Sequence, residues 1–390
     1  MQPLLTDAAL QTPWAATLTE LGAVESFGDP IVDSSGDGWI VRVPVMLERG
    51  GLALVLVLSA DGFLTGLQLA PDAPPVEWEP PDYADVDTFV EHDVTLGSGS
   101  LAVGGTLSLP RSTGPHPAVV LLSGSGPQDR DETIGPNKVL KDLAWGLASV
   151  GIAALRFDKV TLTHGRELAG REEFTMVDEY LPQALAAVGL LRERADIASD
   201  RIFVAGHSLG GTVAPRVGAA APALAGLVLL AGGAQRMHHA ALRQFHYLQS
   251  LDLPSVGVTQ ELIDDLAARV AKVDDPALST ATPASELPFN VPAAYWLDVR
   301  DYDQVAAAAA LTMPMLVLNG GRDYQVTLDD DLALWRAALA GHNNVAFTVY
   351  DDANHVFIAG TGPCTPAEYA QPGHMEARVV ADIAAWVRGV

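Results

Sequence analysis

Three stretches of the chain carry side chains that together could perform covalent acyl transfer. In "RIFVAGHSLGGTVAPRV" (residues 201–217), Ser208 stands in a G-x-S-x-G pattern between Gly206 and Gly210. Among 36 glycines that pattern alone is weak. Its setting strengthens it: "RIFVA" reads as a strand and "LGGTVAPRVGAAA" as the start of a helix, which places Ser208 on a tight strand-to-helix turn. A hydroxyl becomes a useful nucleophile only when a neighbouring base takes its proton. His355 in "YDDANHVFI" and His374 in "PGHMEARVVADIAAWV" both fall in the last connection of the chain, where that base belongs. His355 is favoured because it stays close to the end of the preceding strand, where the active sites of parallel sheets gather. His374 reads alternatively as a helix-cap or surface residue. His207 points away from its neighbour on such a turn and reads as structural, and His238 and His239 read as solvated or lid residues. The imidazole needs a carboxylate to orient it. Asp323, after the buried strand and glycine turn of "MPMLVLNGGRDYQV", supplies one, with a pairing to Arg322 or a helix cap as the plainer reading. The order Ser208, Asp323, His355 is the one this architecture requires.

A tetrahedral intermediate also needs donors for its oxyanion. The N–H of Leu209, first in the helix after the serine, is one candidate. The turn in "VVLLSGSGPQDRDE" supplies the other, assigned to Ser125 with Gly126 as the alternative. Asp129, Arg130 and Asp131 read as a local ion-pair cluster holding that loop.

The elements that must position these groups follow from hydrophobic pattern. From residue 88 onward, "FVEHDVTL" and "LAVGGTLSLP" alternate as an antiparallel pair. "PAVVLLS", "IAALRFD", "RIFVAGHS", "LAGLVLLAG", "MPMLVLNG" and "VAFTVYD" are then continuous apolar runs separated by helical segments. Such runs are parallel strands buried on both faces. The expected fold class is α/β, a mostly parallel central sheet flanked by helices. Between about residues 235 and 303 the alternation lapses into a helical insertion, expected to lie over the C-terminal edge of the sheet as a lid. Phe289, Tyr295 and Trp296 within it are candidate walls of an acyl pocket, or else anchors of the lid to the body. Residues 1–70 read as a small α+β domain, a helix in "LLTDAALQTPWAATLTELGAV" and three strands joined at Glu48-Arg49-Gly50-Gly51 and Ala60-Asp61-Gly62. Residues 71–87, dense in proline and acid, read as a semi-rigid linker.

Composition narrows the partners. The formal charge is −25, with 23 Lys and Arg against 48 Asp and Glu, which disfavours nucleic acid and anionic membrane surfaces. Apolar runs are too short to span a bilayer. A single cysteine, Cys364, excludes an intrachain disulfide or a cysteine-rich zinc site. With no basic n-region at the start, cytoplasmic localisation is expected, a trimmed leader being left open. A homo-oligomer is compatible with the sequence but not indicated by it.

These residues resemble the α/β-hydrolase superfamily, and more narrowly the bacterial two-domain carboxylesterases with a small N-terminal α+β domain. The resemblance rests on "LSGSGPQDRDE", "LRFDK", "GHSLGG", "LNGGRDYQV" and "NHVFIAGTGPCTPAEYAQPGH". Val160 departs from it, since an arginine is usual after "FDK". The resemblance implies a Ser208–Asp323–His355 triad that hydrolyses short-to-medium acyl esters through an acyl-enzyme, without metal or organic cofactor. A small-molecule ester is the implied partner. Thioesterase, lactonase or acyltransferase chemistry could use the same triad.

Overall fold

The computed structural model describes residues 21–35, 38–59, 62–71, 77–168, 170–253 and 257–390. The chain forms two compact units, the first comprising Met1–Glu77 and Leu253–Gly257 and the second Trp78–Asp252 and Val258–Val390. In the first, β1 (Val24–Phe27), β2 (Ile31–Ser35), β3 (Gly38–Leu47), β4 (Gly50–Leu58) and β5 (Leu64–Pro71) make an antiparallel sheet with β3 paired to β1, β2 and β4. Leu47 opposite Gly50 leaves Glu48 and Arg49 as a two-residue turn, at the hairpin read from sequence. Val45, Leu47 and Leu52 form its small core. The three expected strands are β3 to β5, and β1 and β2 add to them. The expected helix lies almost wholly outside the described residues.

The stretch expected to be a linker ends sooner than its composition suggests. Trp78 donates from Nε1 to Asp142 at 2.9 Å, Tyr83 donates to the carbonyl of Met375 at 2.7 Å, and the Lys141 ammonium sits 4.4 Å from the Trp78 ring centre. Trp78 and Tyr83 are thus part of the second unit, where they have apolar area to bury.

Among the described residues of the second unit, β6 (Phe89–Leu96), β7 (Val103–Pro110) and β8 (His116–Leu122) open the main sheet, followed by a two-stranded ribbon of β9 (Thr133–Ile134) and β10 (Asn137–Lys138). The main sheet continues with β11 (Ala153–Phe157), β12 (Ile197–His207), β13 (Gly226–Leu230), β14 (Met315–Gly320) and β15 (Val345–Tyr350). Spatial order is β15-β14-β13-β12-β8-β11-β7-β6. The six strands from β8 to β15 pair in parallel and β6 and β7 are antiparallel. These are the strands the apolar runs mark.

The continuous apolar character of β8 has a direct use. Ala118, Val120 and Leu122 enter the core on one face, with the helices Met176–Arg192 and Leu209–Ala220. Val119 and Leu121 enter the core on the other, with the helices Val139–Ser149 and Ala377–Gly389. A strand covered on both sides cannot alternate apolar with polar.

The insertion is helical, with Met237–Ser250, Gln260–Asp274 and Ala293–Asp301. The first of these helices meets the loops beyond β14 and β15. Arg243 donates to the carbonyl of Gln325 at 2.8 Å, Tyr247 stacks on Tyr324 at 4.7 Å between ring centres, and the Tyr247 hydroxyl donates to the carbonyl of Cys364 at 2.8 Å.

The turn from β12 into Leu209–Ala220 tolerates no side chain beside the serine. A Cβ on Gly206 would lie 2.2 Å from the Gly210 oxygen, and one on Gly210 would lie 2.5 Å from the Leu122 oxygen. Gly206→Ala is therefore expected to cost at least about 1–3 kcal/mol, the usual penalty of overpacking. Gly189→Ala, where a Cβ meets open space, should be neutral or slightly stabilising. Urea midpoints of the two variants against the parent check this.

Candidate active site

Ser208 occupies this turn with φ 52° and ψ −118°, a backbone region that non-glycine residues avoid. Its N–H is held by the Leu230 carbonyl at 2.9 Å, and its own carbonyl accepts from Thr212 N at 3.0 Å. The strained link is thus fixed between β13 and the first turn of the helix, and Ser208 remains half-exposed while its neighbours are buried.

Asp323 and His355 reach each other because the loops after β14 and β15 pack backbone against backbone. Gly321 N donates to the Tyr350 carbonyl at 2.7 Å and Arg322 N to the Ala353 carbonyl at 2.9 Å. The Asn354 side chain winds the second loop, accepting from the N–H groups of Val356 and Ile358 at 3.1 Å each. Asp323 is buried, and its Oδ1 accepts from the N–H groups of Gln325 at 2.7 Å and Val326 at 3.0 Å. Its Oδ2 accepts from His355 Nδ1 at 2.7 Å. With Nδ1 donating, Nε2 is the ring's basic atom, the tautomer a general base requires. Arg322 pairs instead with Glu368.

His374 lies elsewhere, its Nδ1 3.2 Å from Asp142 and its ring against Trp78. Of the two readings of His238 and His239, solvated or part of the insertion, the first does not hold for His238, which is fully buried in the insertion's first helix. His238 and His239 both face the Asp274 carboxylate, at 3.0 and 2.7 Å, and clasp two lid helices together. This trio is the group of donors among the described residues that could approach a metal ion. Its chemistry does not fit one: a metal-bound imidazole donates its other N–H to an acceptor, and His238 Nδ1 is buried without a partner among the described residues.

The glycine loop after β8 stands beside the serine. A Cβ on Gly124 would lie 3.1 Å from the Ser208 Cβ. The N–H groups of Ser125, Gly126 and Leu209 make no hydrogen bond within the chain among the described residues, so all three are free to donate. Arg130 and Asp131 do hold this loop, but to β11 and its end rather than to each other. Arg130 meets Asp158 at 2.6 Å and Asp131 meets Arg156 at 2.8 Å, while Asp129 accepts from Thr133.

The residues that sequence reasoning missed are buried behind this loop. Glu132, at φ 51°, accepts from the Gly124 N–H at 2.6 Å and from His207 Nδ1 at 2.9 Å. His207 Nε2 faces the His355 carbonyl at 3.0 Å. Both ring nitrogens thus meet acceptors, which calls for the imidazolium. Burial works against charge on either group, but their mutual attraction holds Glu132 below the usual carboxylate range and His207 above the usual histidine range. On the other side, Lys159 and Tyr180 meet the Gly124 carbonyl, both at 2.9 Å. The available signal was their place in the motifs: Glu132 ends "SGSGPQDRDE" and Lys159 ends "LRFDK".

Of the three aromatics singled out from the sequence, Tyr295 and Trp296 are buried. Tyr295 donates to Glu179 at 2.6 Å, and Trp296 packs edge-on against His238 at 5.9 Å. Phe289 is 54% exposed. Trp296→Ala should therefore cost about 3–5 kcal/mol of stability, the range for buried Trp or Phe, read as a lowered urea midpoint.

The buried pair gives a second expectation. The raised His207 pKa contributes stability fully present below its unfolded value of about 6.5 and lost as pH rises through the folded value. The lowered Glu132 pKa contributes stability present above about 4.3 and lost as pH falls through the folded value. The stability difference between the parent and Glu132→Gln should therefore be largest between about pH 4.3 and 6.5 and shrink toward pH 9. Urea titrations at pH 5.5 and 9 measure it, and equal differences at both would contradict the charged pair.

Residues 137–359 match the family described as serine aminopeptidase, S33, of the Hydrolase_4 group. The chain is 38% identical over 349 residues to Esterase EstD of Thermotoga maritima, covering 89% of this chain and 79% of that protein. Solved structures similar to it include the Pyrococcus furiosus esterase Pf2001 (TM-score 0.49, 16% identity, 81% of this chain and 96% of that one). Another is Est1E of Butyrivibrio proteoclasticus (TM-score 0.49, 15% identity, 76% and 99%). Among the described residues no helix is long and apolar enough to cross a membrane. With a family match over more than half its length and an esterase relative at this identity, the chain belongs to the serine esterases of the α/β-hydrolase fold and is a hydrolase acting on carboxylic esters.

Proposed function

We propose that Ser208, His355 and Asp323 are the catalytic triad and that the substrates are carboxylic esters of short to medium acyl chains. The observation that carries this reading is the half-exposed Ser208 in a strained elbow, on the same sheet edge as a buried Asp323–His355 pair whose Nε2 is left basic. His355 Nε2 takes the Ser208 proton as the hydroxyl oxygen attacks the ester carbonyl. The N–H groups of Ser125 and Leu209 receive the oxyanion, Gly126 being the alternative to Ser125. His355 then protonates the leaving alcohol, and water repeats the cycle on the acyl-enzyme. Asp323 keeps the imidazole in the correct tautomer and stabilises its cation.

The lid supports a limit on acyl length. Its first helix is packed directly onto Tyr324, next to Asp323, and onto the carbonyl of Cys364 beyond His355, at the loops that carry two of the three proposed catalytic residues. Phe289, exposed on the insertion, is the one of the three sequence candidates left open to contact substrate.

The test is kinetic. A fluorophosphonate should label the parent at Ser208 and leave Ser208→Ala unlabelled. That variant should keep the parent's fold and lose about a million-fold in kcat. Asp323→Asn should lose on the order of ten-thousandfold. Acetyl to octanoyl p-nitrophenyl esters, beside thioesters, lactones and peptide anilides, then fix the bond class. A folded Ser208→Ala protein with most of its activity, or higher kcat/KM for an amide or thioester than for every ester, would overturn the reading.

A further inference from the structure

We infer that Lys159 is a positioning residue of the reaction: its ammonium fixes the Gly124–Ser125 peptide so that the Ser125 N–H is presented to the oxyanion. This rests on the triad and oxyanion reading above and adds the group that holds its loop donor in place.

Lys159 is fully buried, with side-chain exposure of 2%. Its Nζ lies 2.9 Å from the Gly124 carbonyl oxygen, 2.8 Å from the Tyr180 hydroxyl and 2.7 Å from Glu179 Oε1. Three acceptors around one nitrogen use all three N–H groups of an ammonium, one more than a neutral amine has. The Tyr180 hydroxyl, receiving from Lys159, passes its own hydrogen toward the same Gly124 oxygen at 2.9 Å and the Ser123 oxygen at 3.0 Å. The carbonyl of residue 124 and the N–H of residue 125 belong to one planar unit and, in a trans peptide, point in opposite directions. Holding that carbonyl against a buried cation therefore aims the Ser125 N–H the other way. Gly124 itself stands beside the turn that carries Ser208, a Cβ on it lying 3.1 Å from the Ser208 Cβ.

Two further features separate this from ordinary core packing. A cation at the carbonyl polarises the peptide and makes its N–H a stronger donor, the cooperative effect of hydrogen bonds in series. The Gly124 N–H is separately fixed by Glu132, so Lys159 governs the one rotation of this residue that Glu132 leaves open. The charge is balanced where it stands: Glu179, buried, pairs with Lys159 and accepts the Tyr295 hydroxyl of the lid helix on its other oxygen. The side chain that seats the lid thus shares a carboxylate with the one that seats the oxyanion donor.

The experiment uses the full-length enzyme and Lys159→Met, which keeps length and removes charge. Because this leaves Glu179 unpaired, the double variant Lys159→Met/Glu179→Gln is made beside it, together with Tyr180→Phe. Active sites are titrated to completion with a fluorophosphonate, so that kcat refers to enzyme with a working Ser208. Affinity is measured for an alkyl boronic acid, which forms a tetrahedral adduct on the serine and places an oxygen where the oxyanion would be. Both Lys159 variants should lose about 10–100-fold in kcat, somewhat less than deletion of an oxyanion donor. KM should change less than about threefold, and boronate affinity should fall in parallel with kcat. Tyr180→Phe should show the same pattern with a smaller loss. A folded, titratable double variant with parental kcat and boronate affinity overturns the proposal, as does a loss confined to KM or to the titratable fraction. A parent enzyme that the fluorophosphonate does not label refutes the triad reading instead.

Discussion

The site depends on how one glycine is held. Gly124 donates its N–H to buried Glu132 and gives its carbonyl to buried Lys159, so both polar atoms of the residue meet a full charge in the low-dielectric interior. The loop would otherwise be a mobile turn of small residues. Each clamp reaches a different part of the molecule. Glu132 continues through His207 to the carbonyl of His355, and Lys159 continues through Glu179 to Tyr295 in the lid. The glycine loop, the turn at Ser208, the loop of His355 and the helical insertion are therefore tied to one another by two buried ion pairs that meet at a single residue.

Buried ion pairs are poor value as stabilisers, because desolvating two charges consumes most of the attraction between them. An apolar pair of the same volume would serve stability equally well in the places occupied by Glu132–His207 and Lys159–Glu179. What apolar groups cannot do is hold backbone N–H and C=O groups at fixed angles. The same holds for Asp331, which is fully buried and accepts from the N–H groups of Ala234, Gln235 and Thr327. These charges serve orientation, and the stability they cost is supplied by the two large apolar cores on either face of the sheet.

The sheet was legible because burial on both faces imposes runs of Val, Leu and Ile, here alternating with helical segments. Asp323 and His355 were legible for a related reason: each follows one of those runs directly, so strand order alone brings them to one edge. Glu132 and Lys159 were not, because neither ends up near Gly124 through local sequence. Lys159 reaches its carbonyl across 35 residues and Glu132 meets a histidine 75 residues away, and both encounters depend on the strand order β12-β8-β11. Tyr295 and Trp296 illustrate a different gap. Aromatic composition says that a side chain will be buried but not in which direction, and here Tyr295 meets Glu179 of the body while Trp296 packs on His238 within the insertion. The 71–87 stretch shows it again, since its proline and acid content suggested a semi-rigid linker while Trp78 and Tyr83 bond to Asp142 and Met375.

The insertion is joined to this framework in a way that separates its interior from its ends. Where it leaves the sheet, the N–H groups of Ala234 and Gln235 are held by Asp331. Where it returns, the Gln304 side chain donates to the carbonyls of Ala234 and Gln235, at 2.7 and 2.9 Å. The two ends are thus stitched to each other as well as to the body, and Arg243 adds a third tie by meeting Asp331 at 2.8 Å. A segment closed at its base in this manner can change length or sequence beyond those ties at small entropic cost. The strained turn at Ser208 and the Asp323–His355 pair receive none of that change directly, because none of their hydrogen bonds is made by residues of the insertion. The insertion meets this framework at Tyr295, through Glu179, and at Arg243 and Tyr247, on the loops beyond β14 and β15.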